Sequence, residues 1–519
     1  MWQMKRIILA AVALSATMLA GPSPISATGS ASGSDPGSDP NVVHVLNRIA
    51  FGARPGDVER VQKLGLKRYI DEQLHPERIA DPDMAARLTS LSTLALSSRE
   101  IQALYERPAM EARRERKKND ADPTPEMRDL QRKARSVVDE LGEQKILRAV
   151  YSERQLEEVL TDFWFNHFNV DARKGRTRTF LTEYERDAIR PHVLGKFRDL
   201  LGATAKSPAM LFYLDNWMSA DPNGPHLAPR GLTPGGRFPG TFRGGGVRPQ
   251  GPGAGVRPPA AGPVAGGGVR PPLAGGGVRP QGARKGLNEN YGRELMELHT
   301  LGVDGGYTQK DVTEVARAFT GWTIANPRQG GGFIFEPRIH DPEPKIVLGH
   351  TIKAGGGQSD GEQVLDILAK HPSTAHFIAT KLVRRFVSDT PPVGLVDRTA
   401  ARFRQTDGDL REVVRTILTS PEFLAPDARG AKVKTPFDFV ASALRATAAD
   451  VPDATQYVRA LQQLGMPLYM CQPPTGYADT AEAWVNTGAL VNRMNFAVRL
   501  ARNDTDTALA IGGPEFQRK

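Results

Sequence analysis

Cysteine is almost absent from this chain of 519 residues, which contains only Cys471. A single thiol cannot form an intramolecular disulfide, and a chain of this length can bury enough core to fold without one. The short motifs of the commonest nucleotide, acyl-transfer and redox sites are missing as well, because no GxGxxG, Walker loop, GxSxG or CxxC occurs. The function therefore has to be sought in patterns other than these motifs.

Long apolar runs are also scarce, and the one at the start of the chain is short. A basic start precedes an uncharged stretch over residues 7–20, which ends at Gly21. A transmembrane helix needs about 20 apolar residues, so this run is more typical of a secretory signal. Residues 1–27 are predicted to be a cleaved Sec-type signal peptide, with an uncleaved anchor as the alternative, and residues 28–40 a flexible leader. The mature chain is thus expected outside the cytoplasmic membrane, in the periplasm or the medium, without a transmembrane span.

Acidic residues are absent from one long segment, Pro222 to Lys285, which contains eight arginines and one lysine. The chain carries a net charge of +10, so the rest of the mature chain is close to neutral. Glycine and proline make up half of the segment, and Gly-Val-Arg-Pro occurs in it four times. Such a composition cannot bury enough apolar surface to fold, so residues 222–286 are predicted to be a disordered insert. Since no aromatic residues lie between the arginines of the four Gly-Val-Arg-Pro repeats, we expect no nucleic acid partner; the insert is either a surface loop or a tether for an anionic surface polymer.

Apolar residues at helical spacing dominate the remainder. Residues 41–221 and 287–505 are predicted to be helical and to pack together as one body, followed by a tail over residues 506–519. Two β-rich runs, Phe333–Phe335 and residues 346–348, flank a proline-rich turn and are predicted to pair as a hairpin. The predicted fold class is all-α: a multi-helix body with a small β-hairpin and a long disordered Gly/Pro/Arg-rich insert.

Histidine is scarce too, with ten in the chain, so the residues beside each one are informative. His167 ends a helix predicted over residues 144–169, and His340 precedes Asp341 in the predicted hairpin turn. Imidazole and carboxylate groups are common metal ligands. His167, His340 and Asp341 are therefore the candidate ligands of a divalent metal ion.

The densest group of polar residues lies in a helix predicted over residues 288–300. Glu294 and Glu297 fall within about 60° of each other on that helix, whereas His299 points away from both by about 140°. These three residues are candidates for catalysis, but they do not form the intrahelical ligand pair of His-Glu-x-x-His peptidases. A buried polar network is the favoured interpretation, with a metal or acid–base site as the alternative. The candidate binding residues are Asn166, Asn290, Arg293, Asp215 and Asn216.

A group of cations lies in another predicted helix, over residues 373–388. Lys381, Arg384 and Arg385 could hold an anion there. The favoured interpretation is a solvated helix face.

Several strings in this sequence resemble one bacterial family. The longest is NENYGRELMELHTLGVDGG over residues 288–306, and others lie at residues 163–168, 371–381 and 474–477. Together they resemble the domain-of-unknown-function 1800 family over residues 42 to 503. The Gly-Val-Arg-Pro insert departs from the family by its length, which favours a peripheral elaboration.

The resemblance implies an exported, largely helical protein and supplies no reaction. Family members are often encoded beside exported proteins that resemble sulfatases and alkaline phosphatases, which implies a possible partner of that kind. Two hypotheses follow. The first is a binding or accessory protein that acts outside the membrane, and the second is a metal-dependent hydrolase that uses a His/Glu/Asp cluster.

Overall fold

The computed structural model describes residues 39–120, 122–224, 286–501 and 505–519. The predicted signal peptide and nearly all of the predicted leader and disordered insert lie outside these residues. Residues Asp39 to Lys519 form one compact unit.

Helices make up most of the described chain, as predicted, and the all-α fold class is confirmed. Before the insert, the α-helices are α1 Pro40–Ile49, α2 Asp57–Leu64, α3 Leu66–Gln73, α4 Pro82–Leu88, α5 Ser98–Ile101, α6 Arg107–Asn119, α7 Pro125–Tyr151, α8 Gln155–His167, α9 Thr177–Glu183, α10 Phe197–Lys206 and α11 Pro208–Tyr213. After the insert, they are α12 Glu289–Glu297, α13 Gln309–Ala318, α14 Gln358–Lys370, α15 Pro372–Phe386, α16 Val393–Gln405, α17 Leu410–Leu418, α18 Pro421–Leu424, α19 Pro436–Ala446, α20 Thr455–Gln463, α21 Thr487–Leu500 and α22 Thr505–Gly512.

Short 3-10 and π-helical turns connect several of these helices. The π-helical turns are Gln102–Glu106 and Tyr184–Ile189, and the 3-10 turns are Pro76–Arg78, Ser92–Ala95, Arg190–His192, Asn216–Met218, Pro327–Gln329, Pro337–Ile339, Pro426–Ala428 and Ala481–Ala483.

The single helix predicted over residues 144–169 is wrong, because the chain breaks between α7 and α8. Ser152 leaves the helical conformation with a ψ of 139°. Its hydroxyl accepts a hydrogen bond from the Arg154 N–H at 3.1 Å, and its carbonyl accepts one from the Gln155 side chain at 2.8 Å. These two bonds satisfy the main chain at the break, as serine does at many helix starts. As a result, α8 begins in a new direction and ends at His167.

The β-structure consists of two separate hairpins, so the predicted pairing of Phe333–Phe335 with residues 346–348 is wrong. Strand β1 (Trp322–Ile324) pairs with β2 (Phe333–Phe335), and β3 (Lys345–Val347) pairs with β4 (His350–Ile352), both antiparallel. Leu348 and Gly349 join β3 to β4 with φ angles of 49° and 81°. Positive φ at both central residues is the geometry of a two-residue hairpin turn, which fixes β3 to its immediate neighbour.

Helices from before and after the insert contact each other through buried polar groups. The His44 Nε2–H of α1 donates to the Phe423 carbonyl at 2.8 Å, and Arg48 Nη2 donates to the Ala428 carbonyl at 2.7 Å. From the other side, Arg445 of α19 donates to the Gly52 carbonyl at 2.7 Å. Among the described residues, no helix has the length and apolar composition needed to cross a membrane.

Candidate functional site

A cleft of about 250 Å³ opens where α8, α15 and the loop over residues 474–480 meet. Its polar lining includes Asn166 and His167 of α8, Lys381, Arg384 and Arg385 of α15, and Tyr477 and Asp479 of the loop. Three of the strings that carry the family resemblance, at residues 163–168, 371–381 and 474–477, thus come together at one place.

His167 is buried at the end of α8 and has a defined tautomer. Its Nε2 lies 3.1 Å from the His299 carbonyl oxygen, which can only accept, so Nε2 carries the hydrogen. Burial lowers the pKa of His167 well below its usual value, and the neighbouring Lys381 lowers it further. The ring is therefore neutral, and Nδ1 is left as an acceptor. It accepts a hydrogen bond from Lys381 Nζ at 2.8 Å.

Lys381 is half-buried and has no carboxylate partner among the described residues. Burial lowers the pKa of its amine to about 8, and Arg384 acts in the same direction, while Asp479 raises it. His167 Nδ1 is the one hydrogen-bond partner that the described part of the chain provides. Nζ can thus donate its other hydrogens to a ligand in the cleft that Lys381 lines.

Asn166 fixes the loop that forms the opposite wall. Its Nδ2 donates to the Tyr477 carbonyl at 2.8 Å, and its Oδ1 accepts from the Tyr477 N–H at 2.7 Å. The loop approaches so closely that a Cβ at Gly476 would lie 2.2 Å from the Asn166 carbonyl oxygen. Gly476 also has a φ of 73°. Only glycine therefore fits at this position without displacing the loop.

Arg385 and Asp479 each leave a polar atom without a partner at the cleft. Arg385 is 5% exposed and forms hydrogen bonds of 3.4 and 3.2 Å with Asp438. Although burial favours its neutral form, Asp438 and Asp479 raise the pKa of Arg385 above its usual value. Arg385 Nε and Asp479 Oδ2 are buried and have no hydrogen-bond partner in the described structure. A ligand could satisfy both atoms, because one donates and the other accepts.

The cleft has an excess of positive charge. Asp162 is paired with Lys145 at 2.7 Å, and Asp479 lies 3.3 Å from Lys432. Arg384 donates only to the main-chain carbonyl of Asp389, at 3.4 Å, within the described chain. Among the described residues, Lys381 and Arg384 therefore form no ion pair within 4 Å, although Asp479 raises the pKa of Lys381 and Arg384 lowers that of Asp389.

The candidate catalytic residues do not converge. His299 lies behind His167, with ring centroids 6.3 Å apart, and burial lowers its pKa to about 3. Glu297 Oε2 accepts from the Tyr307 hydroxyl at 3.2 Å, away from the cleft. Glu294 is half-buried, and its burial raises the pKa of the carboxyl, as does the charge of Glu297. Neither carboxylate lines the cleft.

His340 and Asp341 belong to a separate buried network rather than to the surroundings of His167. The ring nitrogens of His340 lie 2.8 Å from the Thr320 carbonyl oxygen and 3.1 Å from Asp360 Oδ2. Asp341 accepts hydrogen bonds of 2.7 and 3.1 Å from Arg317. These partners, from α13, α14 and the residue Thr320 that follows α13, fix the two side chains.

The other candidate binding residues also lie away from the cleft. Asn290 is exposed on α12, and Arg293 donates to Gln309 at 2.7 Å. Asp215 accepts from Lys174 at 2.8 Å. Asn216 is buried and donates to two main-chain carbonyls, of Phe319 and Trp322. Of the predicted binding residues, only Asn166 lines the cleft.

The donor set does not fit a divalent metal ion. Among the described residues, no three His, Cys, Asp or Glu side chains are grouped so that they could hold one. The Nδ1 atom of His167, which carries no hydrogen, already accepts a hydrogen bond from Lys381. The positive charge of Lys381 would repel a metal cation at this position. The geometry therefore provides no support for the metal-dependent hydrolase.

The sequence indicates Lys381, Arg384 and Arg385 as a possible anion site but favours a solvated helix face. The interpretation of Lys381, Arg384 and Arg385 as a solvated face is wrong for Arg385, which is buried. Lys381 and Arg385 are four residues apart and hence on one face of α15. That spacing places the two residues on a shared face, but it does not show whether the face is solvated or buried.

Comparison with known proteins places the chain in a family. The profile of the family described as "Protein of unknown function (DUF1800)" matches residues 44–516. The chain belongs to the DUF1800 family. No curated protein and no solved structure matches it. Membership of the DUF1800 family assigns no activity to the chain, so its function has to be inferred from the geometry of the cleft.

Proposed function

We propose that this DUF1800 protein is an exported binding protein, and that its cleft takes the anionic group of a small acid. The observation that carries the proposal is the pair of cations, Lys381 and Arg384, which line the cleft and form no ion pair with a described residue. A partly buried charge without a partner is costly, because it has lost part of its hydration. A bound anion offsets that cost.

The size and polarity of the cleft support a compact ligand. About 250 Å³ is room for a carboxylate, phosphate or sulfate group with a few further atoms. Two opposite charges 4 Å apart interact by roughly 4 kcal/mol at an effective dielectric constant of 20. Arg385 Nε–H and Asp479 Oδ2 have no partner within the described chain, so the first adds a donor and the second adds an acceptor for a hydroxyl or N–H group of the ligand.

The binding proposal is tested by calorimetric titration of the mature protein with acetate, phosphate and sulfate at low ionic strength. We expect saturable binding of at least one of these anions. Substitution Lys381→Met or Arg384→Gln should weaken it at least tenfold. The control is Lys370→Gln, an exposed lysine at the end of the neighbouring helix α14. Absence of binding, or equal weakening in the control, overturns the proposal.

Export is supported by the basic start and the short uncharged stretch over residues 7–20. The full-length gene product, expressed in a bacterial host, should be found outside the cytoplasm with residues 1–27 removed. N-terminal sequencing of the exported protein checks the cleavage site. Retention in the cytoplasm with an intact N-terminus contradicts this part of the proposal.

An accessory role beside an exported hydrolase of the sulfatase or phosphatase type is also part of the proposal. Enzymes of that type release anions, which are the ligands that a cationic cleft suits. The arginine-rich segment Pro222 to Lys285 would act as a tether to an anionic surface polymer. Deletion of this segment should abolish salt-sensitive adsorption to cell envelopes and leave anion binding by the cleft unchanged. Adsorption that survives the deletion contradicts the tether.

A further inference from the structure

We propose that Lys381 binds a 2-oxo acid covalently and reversibly, as an imine between its Nζ and the carbonyl carbon of the acid. This inference rests on the proposed function, because the carboxylate of the acid occupies the cationic cleft. It adds a chemical class of ligand and a nucleophile.

The placement of Lys381 is what an imine-forming lysine requires. Lys381 lines the cleft, and its Nζ is anchored by one hydrogen bond to His167 Nδ1, at 2.8 Å. No described carboxylate forms an ion pair with it, so no counterion holds it as an ammonium. A lysine becomes nucleophilic when it is desolvated and lies near another cation. Lys381 meets the first condition, because burial lowers the pKa of its amine; Asp479 opposes this shift, and Arg384 adds to it.

The burial of Lys381 also makes the lone pair of its amine available for reaction. Burial lowers the pKa of the Lys381 amine to about 8. About a tenth of the molecules therefore carry a neutral amine at pH 7, compared with less than about one in a thousand for an ordinary lysine. The neutral amine still donates one hydrogen to His167 Nδ1, and its lone pair is free to face the ligand.

The reaction is balanced without a further reactant. The Nζ lone pair attacks the carbonyl carbon, so a C–N bond forms and the π electrons of the C=O bond move to oxygen. One Nζ proton passes by way of His167 Nδ1 to that oxygen, which gives a carbinolamine. Its C–O bond then breaks, the nitrogen lone pair forms the C=N bond, and water leaves. The net change is amine plus 2-oxo acid to imine plus water.

The second contact of the ligand fits the spacing on α15. Lys381 and Arg385 are separated by four residues, so both side chains leave the same face of α15, and both residues line the cleft. In a 2-oxo acid the carboxylate is bonded directly to the carbonyl carbon. A donor beside Lys381 can therefore bind the carboxylate while Nζ is bonded to the carbonyl carbon. Arg385 lines the cleft, and its buried Nε–H has no partner among the described residues, so we assign it as the donor for the carboxylate; Arg384 supplies further charge.

The test is reductive trapping. The mature protein is incubated at pH 8 with glyoxylate and sodium cyanoborohydride, and the adduct is located by intact mass and peptide mapping. We expect one carboxymethyl adduct, on Lys381, formed at least tenfold faster than any adduct on the exposed Lys370. It should be absent in Lys381→Arg. Propanal, which lacks the carboxylate, should modify Lys381 at least tenfold more slowly than glyoxylate.

The outcomes separate this inference from the proposed function. Saturable binding of acetate without an adduct on Lys381 overturns the imine and leaves the anion site standing. Neither acetate binding nor an adduct overturns both. Adducts spread evenly over exposed lysines, or equal rates with glyoxylate and propanal, also overturn the imine. A Lys381→Arg variant with the melting temperature of the wild type ensures that loss of the adduct does not reflect unfolding.

Discussion

Asn166 binds both main-chain polar groups of Tyr477. The amide nitrogen of the side chain donates to the Tyr477 carbonyl at 2.8 Å, and the amide oxygen accepts from the Tyr477 N–H at 2.7 Å. A side chain here replaces the two hydrogen bonds that a neighbouring strand would form. The loop that carries Tyr477 and Asp479 is thereby fixed to the end of α8, so the shape of the cleft depends on this one amide.

Removal of the Asn166 amide should therefore destabilise the protein and open the cleft. Asn166→Ala breaks two hydrogen bonds, each with a net value of about 1 kcal/mol, and leaves the Tyr477 groups to find water. We expect the free energy of unfolding to fall by about 2 kcal/mol, measured by chemical denaturation, and anion affinity to fall with it. Asn290→Ala, at an exposed asparagine of α12, should change both by little. Unchanged anion affinity in Asn166→Ala would show that the shape of the cleft does not depend on this contact.

A comparison of alanine substitutions at Gly476 and Gly465 distinguishes the effect of the close loop contact from the effect of backbone strain. Both have positive φ, 73° and 85°, so alanine is strained at either position by about 1 kcal/mol. A Cβ at position 476 would also lie 2.2 Å from the Asn166 carbonyl oxygen, whereas at position 465 it would meet nothing within 4 Å. Gly476→Ala should therefore lower the free energy of unfolding by at least 2 kcal/mol more than Gly465→Ala. Equal losses in the two variants would show that the loop moves aside freely.

Local sequence patterns identified the helices much better than they identified which elements pair or pack with each other. Ser207 before Pro208 is a local signal for the start of α11, and the Ser207 hydroxyl accepts from the Ala209 N–H, because a helix cap is encoded within a few residues. The β-rich residues 346–348 gave no information on which strand they pair with. Their partner is the adjacent β4, reached through a turn with a leucine at positive φ.

The cleft was less predictable because its contacts join residues far apart in the sequence. Asn166 and Tyr477 are 311 residues apart, and nothing near either residue identifies the other. Lys381 and Arg385 at a spacing of four look the same on a solvated face and on a buried one. Burial is decided by Asp438, 53 residues further along, which neutralises Arg385 inside the protein. His167 and Asn166 were identified because scarce polar residues beside an aromatic run are visible locally.

Anion binding by the cleft should depend on the charge of Lys381. Its pKa of about 8 means that the amine is an ammonium below pH 8 and neutral above it. Affinity for acetate, measured by calorimetry between pH 6.5 and 9.5, should therefore be highest at the acidic end and fall as the pH rises through about 8. Lys381→Arg keeps its charge over the whole range and should remove this decrease. A wild-type affinity that is constant to pH 9.5 would mean that Lys381 does not contribute its charge to binding.

Buried neutral histidines should make the protein less stable in mild acid. Burial lowers the pKa of His44 to about 4 and that of His299 to about 3, and it lowers the pKa of His167 well below 6.5. Below pH 6.5 each of these rings takes up a proton in the unfolded chain but not in the folded one. Stability is therefore complete above pH 6.5 and is lost as the pH falls from there towards the folded-state values.

The contribution of one histidine to this loss of stability can be measured from the slope of the free energy of unfolding against pH. Between pH 6 and pH 4.5, a ring that is protonated only in the unfolded state makes the free energy of unfolding decrease by about 1.4 kcal/mol per pH unit. His299→Gln removes that ring, so its slope in urea denaturation should be shallower than that of the wild type by about this amount, whatever its stability at pH 7. The exposed His376→Gln should retain the wild-type slope. Equal slopes in all three proteins would mean that His299 takes up its proton in the folded state, and then the Nε2 that lacks a partner would be the atom that binds it.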